Sequence, residues 1–127
     1  MTVCLDSWAV LRWLEGMEPA AARVESLLVD RPVMSWINLG EVYYVIGRRV
    51  DEDAARSTVR SLRRRLTLDL PSAERVLQAA SIKGRYPLAY ADAFAVATSH
   101  AYDAVLLTGD PEIIDAGGGW AVEDLRS

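Results

Sequence analysis

At 127 residues, 51% hydrophobic and 25% charged, the chain is long enough for one domain with one sizeable core and too apolar for disorder. Its single cysteine, Cys4, excludes a disulfide framework and a Cys-based zinc site. A net charge of −4 argues against a protein that coats nucleic acid non-specifically, although seven of the thirteen arginines fall between positions 48 and 65.

The amino-terminal stretch has no basic leader region, and its longest apolar run, residues 8–14, is interrupted by Arg12. Neither a signal peptide nor a membrane span is expected, and a cytoplasmic protein is. Residues 2–6 read as a strand. Residues 7–15 form a helix closed by Gly16, and 19–30 a second helix with Pro19 near its first turn. Residues 32–35 are a short strand, and Ser35 caps a helix over 36–48. A helix over 51–65 is capped by Asp51 or Asp53, and a strand follows at 66–70. Pro71 and Gly84 delimit a helix over 72–83. A helix of small residues spans 90–102, and a strand 104–108 leads into a short Pro-Glu-Ile-Ile turn. Gly117, Gly118 and Gly119 form a turn before a last strand at 120–123. Strands separated by helices predict an α/β fold, a parallel sheet with helices on both faces, in one domain over 1–127.

Most of the eighteen acids sit where acids normally sit. Asp51, Glu52 and Asp53 open a helix, where the dipole favours negative charge; Glu18 and Glu74 are also near helix starts. Asp30, Asp103, Asp115 and Asp124 read as solvated loop residues. Four acids are out of place. Asp6 and Asp110 each follow a short apolar strand, and in parallel sheets sites form beyond the carboxyl ends of strands. For Asp110 the alternative is a simple cap of the turn that follows. Glu41 shares a helical stripe with Ile37 and Val45, with no lysine or arginine within a turn of it; the alternative is a structural acid paired with a distant arginine. Asp92, in a first turn, would alone read as a partner of the helix dipole, but its matching face, Ala95, Val96 and Ser99, is small, leaving room for another backbone or for a ligand. Four carboxylates in one pocket raise one another's pKa values, and a divalent cation relieves that repulsion. Oxygen ligands without His or Cys suit Mg²⁺ or Mn²⁺, and such an ion activates water against a phosphodiester.

Taken in order, Asp6-Ser7, Ser35-x-x-Asn38-x-x-Glu41, the helix opening at Asp92-Ala93 and Thr108-Gly109-Asp110 resemble the PIN domain, and the size is similar to the VapC-type toxins within it. The resemblance implies a three-layer α/β/α fold and a Mg²⁺- or Mn²⁺-dependent endoribonuclease. It implies a homodimer held inactive by a cognate antitoxin, with RNA as substrate. It makes Asp6, Glu41, Asp92 and Asp110 the acidic metal and catalytic site, with Ser7, Asn38 and Thr108 orienting them by hydrogen bonds.

Arg49, Arg56, Arg60, Arg63 and Arg64 fall near one face of helix 51–65. They are either a solvated face or a surface that tracks RNA phosphates. The first helix is apolar on more than one side: Trp8, Leu11, Val10, Trp13 and Leu14 cannot all face one core, so the next helix or a second subunit covers the excess. His100 reads as a surface residue, and most of Tyr43, Tyr44, Tyr86 and Tyr90 as packing. Other functions compete. A receiver-like Mg²⁺-binding module needs a lysine after a late strand, and the only lysine, Lys83, is near a helix end. A haloacid-dehalogenase-type phosphatase needs a second Asp where Trp8 stands. A catalytically silent PIN-like scaffold would have lost one of the four acids.

Overall fold

The computed structural model, described for residues 1–126, alternates strands and helices. The strands β1 (Val3–Leu5), β2 (Val33–Ser35), β3 (Thr67–Asp69), β4 (Val105–Thr108) and β5 (Val122–Asp124) form one sheet in the order β3-β2-β1-β4-β5. Every neighbouring pair is parallel. Parallel neighbours need crossovers. The helices α1 (Ser7–Glu15), α2 (Ala20–Leu27), α3 (Trp36–Arg49), α4 (Glu52–Arg65), α5 (Ala73–Arg85), α6 (Tyr90–Ala101) and the single turn α7 (Pro111–Ile114) lie in the connections.

Strand alternation sorts the core into two halves. Val3, Leu5, Met34 and Leu107 join Ala9, Val10, Val24, Leu39 and Leu62 in a cluster beneath α1 to α4. Cys4, Val33 and Leu106, one residue out of step, join Ala95 and Val96 beneath α6. The result is the three-layer α/β/α arrangement expected from the sequence. Residues 92–99 of α6 are all buried, so its alanines serve close approach to the sheet rather than leaving a cavity. The apolar excess of α1 is largely absorbed by α2: Trp8, Leu11 and Trp13 pack against the first cluster, while Leu14 stays exposed.

Local differences from the sequence reading have simple causes. Gly84 does not end α5, which runs to Arg85; Tyr86 is extended because Pro87 disfavours a helical residue before it. The second helix ends in a 3₁₀ turn over Leu28–Asp30. The last strand starts at Val122 because Trp120 turns aside to pack edge-on against Tyr86, ring centroids 5.0 Å apart. Asp124 is therefore a strand rather than a loop residue; it is exposed, as expected, and pairs with Arg126 at 2.8 Å. Among the described residues no helix is long and apolar enough to cross a membrane.

Leu106 is fully buried, whereas Leu77 on α5 is 69% exposed. Leu106→Ala is expected to cost about 2–5 kcal/mol in urea unfolding. Leu77→Ala should stay within about 0.5 kcal/mol of wild type.

Candidate active site

The strand order reverses between β1 and β4, and crevices at such switch points bind ligands. In-register pairing of Leu5 with Leu107 sets Asp6 beside Thr108. The Thr108 hydroxyl donates to Asp6 Oδ2, and the Ala9 amide donates to Asp6 Oδ1 at 2.9 Å, so Asp6 also caps α1. The same hydroxyl accepts from the Asp110 amide at 3.0 Å. Asp110 in turn caps α7, accepting from the Glu112 amide at 2.9 Å. Gly109 lets the turn pass close to Trp8: a Cβ there would fall 2.2 Å from the indole ring, which would have to move.

A second set of bonds ties α3 to α6. The Ser35 hydroxyl caps α3, accepting from the Ile37 amide at 3.1 Å. One turn on, the Asn38 amide group donates to Glu41 Oε1 at 3.2 Å and to the Ala91 carbonyl at 3.0 Å, next to Asp92. The Ser7 hydroxyl donates to the same Glu41 oxygen at 2.8 Å. The buried face of α3 is Asn38, Leu39 and Val42, so Glu41 does not lie on an aliphatic core stripe; Ile37 is exposed and Glu41 half-buried at the edge of the cleft.

An open cleft results, lined by Ser7, Trp8, Leu11, Arg12, Glu41, Asp92, Asp110 and Glu112. Asp6, 2% exposed, is buried behind these acids. Carboxylate oxygens of Asp92, Asp110 and Glu112 lie within 4.8 Å of one another. Glu112 was not singled out from the sequence; it is exposed and sits in a first turn, where an acid usually means only a dipole partner. Burial, with the charges of Asp110 and Glu41 adding, pushes Asp6 from its ordinary 3.8 up to about 7. Burial, then Asp110, a hydrogen bond with Glu112, Glu41 and Asp6 push Asp92 up to about 8. Among the described residues none of these five acids has a basic partner within 4.0 Å. Arg12 is the one cation lining the cleft, and it lies 4.7 Å above the Trp8 ring and pairs with Glu15. An all-oxygen, unneutralised donor set of this kind fits a hard divalent cation.

The arginines singled out from the sequence lie outside this cleft. Arg49 pairs with Glu15 at 3.0 Å and Arg56 with Glu52 at 3.6 Å. Arg63 lies 5.2 Å from the Trp36 ring centroid. Arg60 and Arg64 are exposed and have no ion-pair partner among the described residues.

A family model described as "PIN domain" matches residues 3–119. Solved structures share the fold at low identity. A VapBC2 complex from Rickettsia felis bound to a promoter DNA fragment matches with a TM-score of 0.78 and 16% identity, covering 99% of this chain and 100% of that one. VapBC-1 from nontypeable Haemophilus influenzae matches at 0.73 and 21%, with both chains fully covered. VapC20 from Mycobacterium tuberculosis, a toxin that cleaves the sarcin-ricin loop, matches at 0.74 and 18%, covering 91% of this chain and 95% of that one. No curated protein is matched by sequence.

The raised pKa values set the direction of a pH effect. The folded chain holds protons on Asp6 and Asp92 more tightly than the unfolded chain. Their contribution to stability is complete below about pH 4 and is lost as the pH rises towards 8. The thermal midpoint of the metal-free chain should therefore fall over that range. Saturating Mg²⁺ should flatten the slope, and so should Asp6→Asn in part. A slope indifferent to both would contradict the repulsion described here.

Proposed function

The chain belongs to the PIN-domain family, and on that premise we propose that it is a cytoplasmic, metal-dependent endoribonuclease, the toxin of a toxin–antitoxin pair. The observation that carries this reading is the convergence of Asp92, Asp110 and Glu112 oxygens within 4.8 Å at an open cleft where, among the described residues, none of them has a basic partner within 4.0 Å. VapC20, which shares the fold, is a toxin that cleaves the sarcin-ricin loop, and a toxin–antitoxin complex from Klebsiella pneumoniae shares the fold too.

Asp92, Asp110 and Glu112 would hold Mg²⁺ or Mn²⁺ at the mouth of the cleft. When bound, the ion supplies Lewis acidity and acidifies a water molecule for attack on phosphorus. Asp6 and Glu41 supply the negative charge of the inner wall. The hydroxyl of Thr108 holds the Asp6 carboxylate, while Ser7 and Asn38 fix one Glu41 oxygen, so that its other oxygen remains available. Arg12 beside the acids meets a phosphate of the RNA backbone, and Arg60 and Arg64 offer further phosphate contacts at a distance.

The antitoxin is the natural competitor for this charge. Trp8 and Arg12 line both the cleft and a neighbouring hollow that includes Met17, Pro19, Ala20 and Leu125. An antitoxin with an apolar segment in the hollow and a bidentate arginine in the cleft would occlude both ion and phosphate.

Asp6→Asn keeps one acceptor oxygen, for the Ala9 amide, turns the group facing the Thr108 hydroxyl into a donor, and removes the charge. It should abolish Mg²⁺-dependent RNA cleavage and growth arrest while raising the metal-free thermal midpoint at pH 8. Thr108→Val should lower cleavage roughly 10–100-fold. Full cleavage in EDTA, or by well-folded Asp6→Asn, would sink the mechanism.

A small open reading frame found directly upstream of this gene should, on co-expression, give a soluble, nuclease-silent complex. Replacing the antitoxin's cleft arginine with alanine should release activity. A chain that cleaves no RNA and finds no such partner is a silent scaffold.

A further inference from the structure

Trp8 and Arg12, one turn apart on α1, line both the cleft and the neighbouring hollow, so the pair forms the ridge between them. The half-buried indole rests on Gly109. A Cβ placed at Gly109 would fall 2.2, 2.2 and 2.6 Å from Cη2, Cζ2 and Cε2 of the ring. Near-equal distances to three successive ring atoms set Gly109 over a face of the indole, since an approach along the ring plane cannot give them. The backbone is thus a rigid support for the ring, one residue before Asp110.

Arg12 covers the ring, its guanidinium carbon 4.7 Å from the centroid. This cover differs from the two other arginine–tryptophan contacts among the described residues. Arg63 over Trp36 joins α4 to α3, and Arg65 over Trp13 joins α4 to α1. Arg12 and Trp8 belong to one helix, and their contact joins nothing. The contact of Arg12 with Glu15, at 3.7 Å, is too long for a hydrogen bond, and Glu15 keeps Arg49 at 3.0 Å without it. Exposed cation–π contacts and exposed ion pairs are both weak. The guanidinium is therefore free to leave for a phosphate, and its departure opens a flat apolar ring beside the acids.

We infer that Trp8 is the stacking platform for one base of the RNA, the base next to the scissile phosphate, and that Arg12 uncovers it by moving to the backbone. Every base has a π-face, so the platform fixes where the strand lies without choosing its sequence. The inference deepens the ribonuclease reading above and rests on it for the ligand.

The probe is a short single-stranded oligoadenylate with one 2-aminopurine, placed at each position in turn. Binding to the full chain is followed by fluorescence in Ca²⁺, with strand integrity checked on gels. In wild type one position is quenched by stacking, and an abasic sugar at that position weakens binding about tenfold. Trp8→Leu loses the quenching and binds the intact and the abasic strand equally. A purely structural role for Trp8 would weaken both strands alike and leave the tenfold difference in place. Trp8→Phe, with a smaller ring, keeps about a threefold difference and decides the matter if Trp8→Leu does not fold. Arg12→Gln weakens both strands and leaves the difference intact. No quenched position in wild type, or a full difference surviving in Trp8→Leu or Trp8→Phe, would overturn the assignment. Cleavage in Mg²⁺ is measured in parallel. A strand that stacks on Trp8 but is never cut defeats the nuclease reading and leaves the platform standing, while a chain that cuts RNA without the stacking signal does the reverse.

Discussion

The hydrogen bond from Thr108 to Asp6 joins positions 102 residues apart and fixes the geometry on which the cleft depends. A threonine hydroxyl has one proton to give. Because its oxygen already accepts from the Asp110 amide, that proton is directed to Asp6, and the carboxylate is held as an acceptor. The bond exists only because β1 and β4 pair in register, with Leu5 opposite Leu107. A slip of one residue would turn Thr108 to the other face of the sheet and leave Asp6 buried without it. Core packing on both faces of the sheet therefore sets the position of a single polar contact, and through it the turn carrying Asp110 and Glu112.

A comparison within the molecule isolates what is unusual about the cleft. Asp69 also ends a strand and is nearly as buried as Asp92. It receives Arg75 through two contacts of 3.3 Å and the Tyr102 hydroxyl at 3.0 Å. A buried acid at β3 is thus neutralised by the chain itself, as burial normally requires. At the β1/β4 end the chain gathers five acids and supplies no base within ion-pair distance among the described residues. The fold tolerates this because the acids are spread over α1, α3, α6 and the start of α7, each anchored by a packed element. Relief of the repulsion is left to something from outside.

Much of this was legible in the sequence, and the failures have physical reasons. Asp6 and Asp110 stood out because an acid directly after a short apolar strand breaks the expected pattern. The strand and helix order followed in part from caps: Ser35, Asp51 and Asp110 cap helices with their side chains as their positions suggested, and the structure adds Asp6 and Ser72, which no local pattern marked as caps. Glu41 was selected for the wrong reason: its stripe with Ile37 and Val45 is not the buried face, and only tertiary contact with Ser7 and Asn38 gives it a place. Glu112 was invisible because an exposed first-turn acid looks the same whether or not two others converge on it. Asp69 was missed for the converse reason, as its partners are six and thirty-three residues away and no local pattern links them.

The arginine-rich segment shows how charge in a sequence differs from charge on a surface. Arg49 and Arg56 are tied to Glu15 and Glu52, Arg63 covers Trp36, and Arg65 meets Glu25 and the Trp13 ring. These side chains hold α1 to α4 together, and an arginine so engaged contributes less field to a passing polyanion. What α4 offers to RNA is mainly Arg60 and Arg64, too little on its own to offset an acidic cleft in a chain of net charge −4. On the proposed reading, the sign of the cleft must then be changed at the cleft itself. Asp92, Asp110 and Glu112 are the residues that would hold a divalent ion there, and such a charge would invert the field that a phosphate meets. Recruitment of the scissile phosphate and its hydrolysis would then share one requirement, and an antitoxin arginine placed among the same acids would remove both at once.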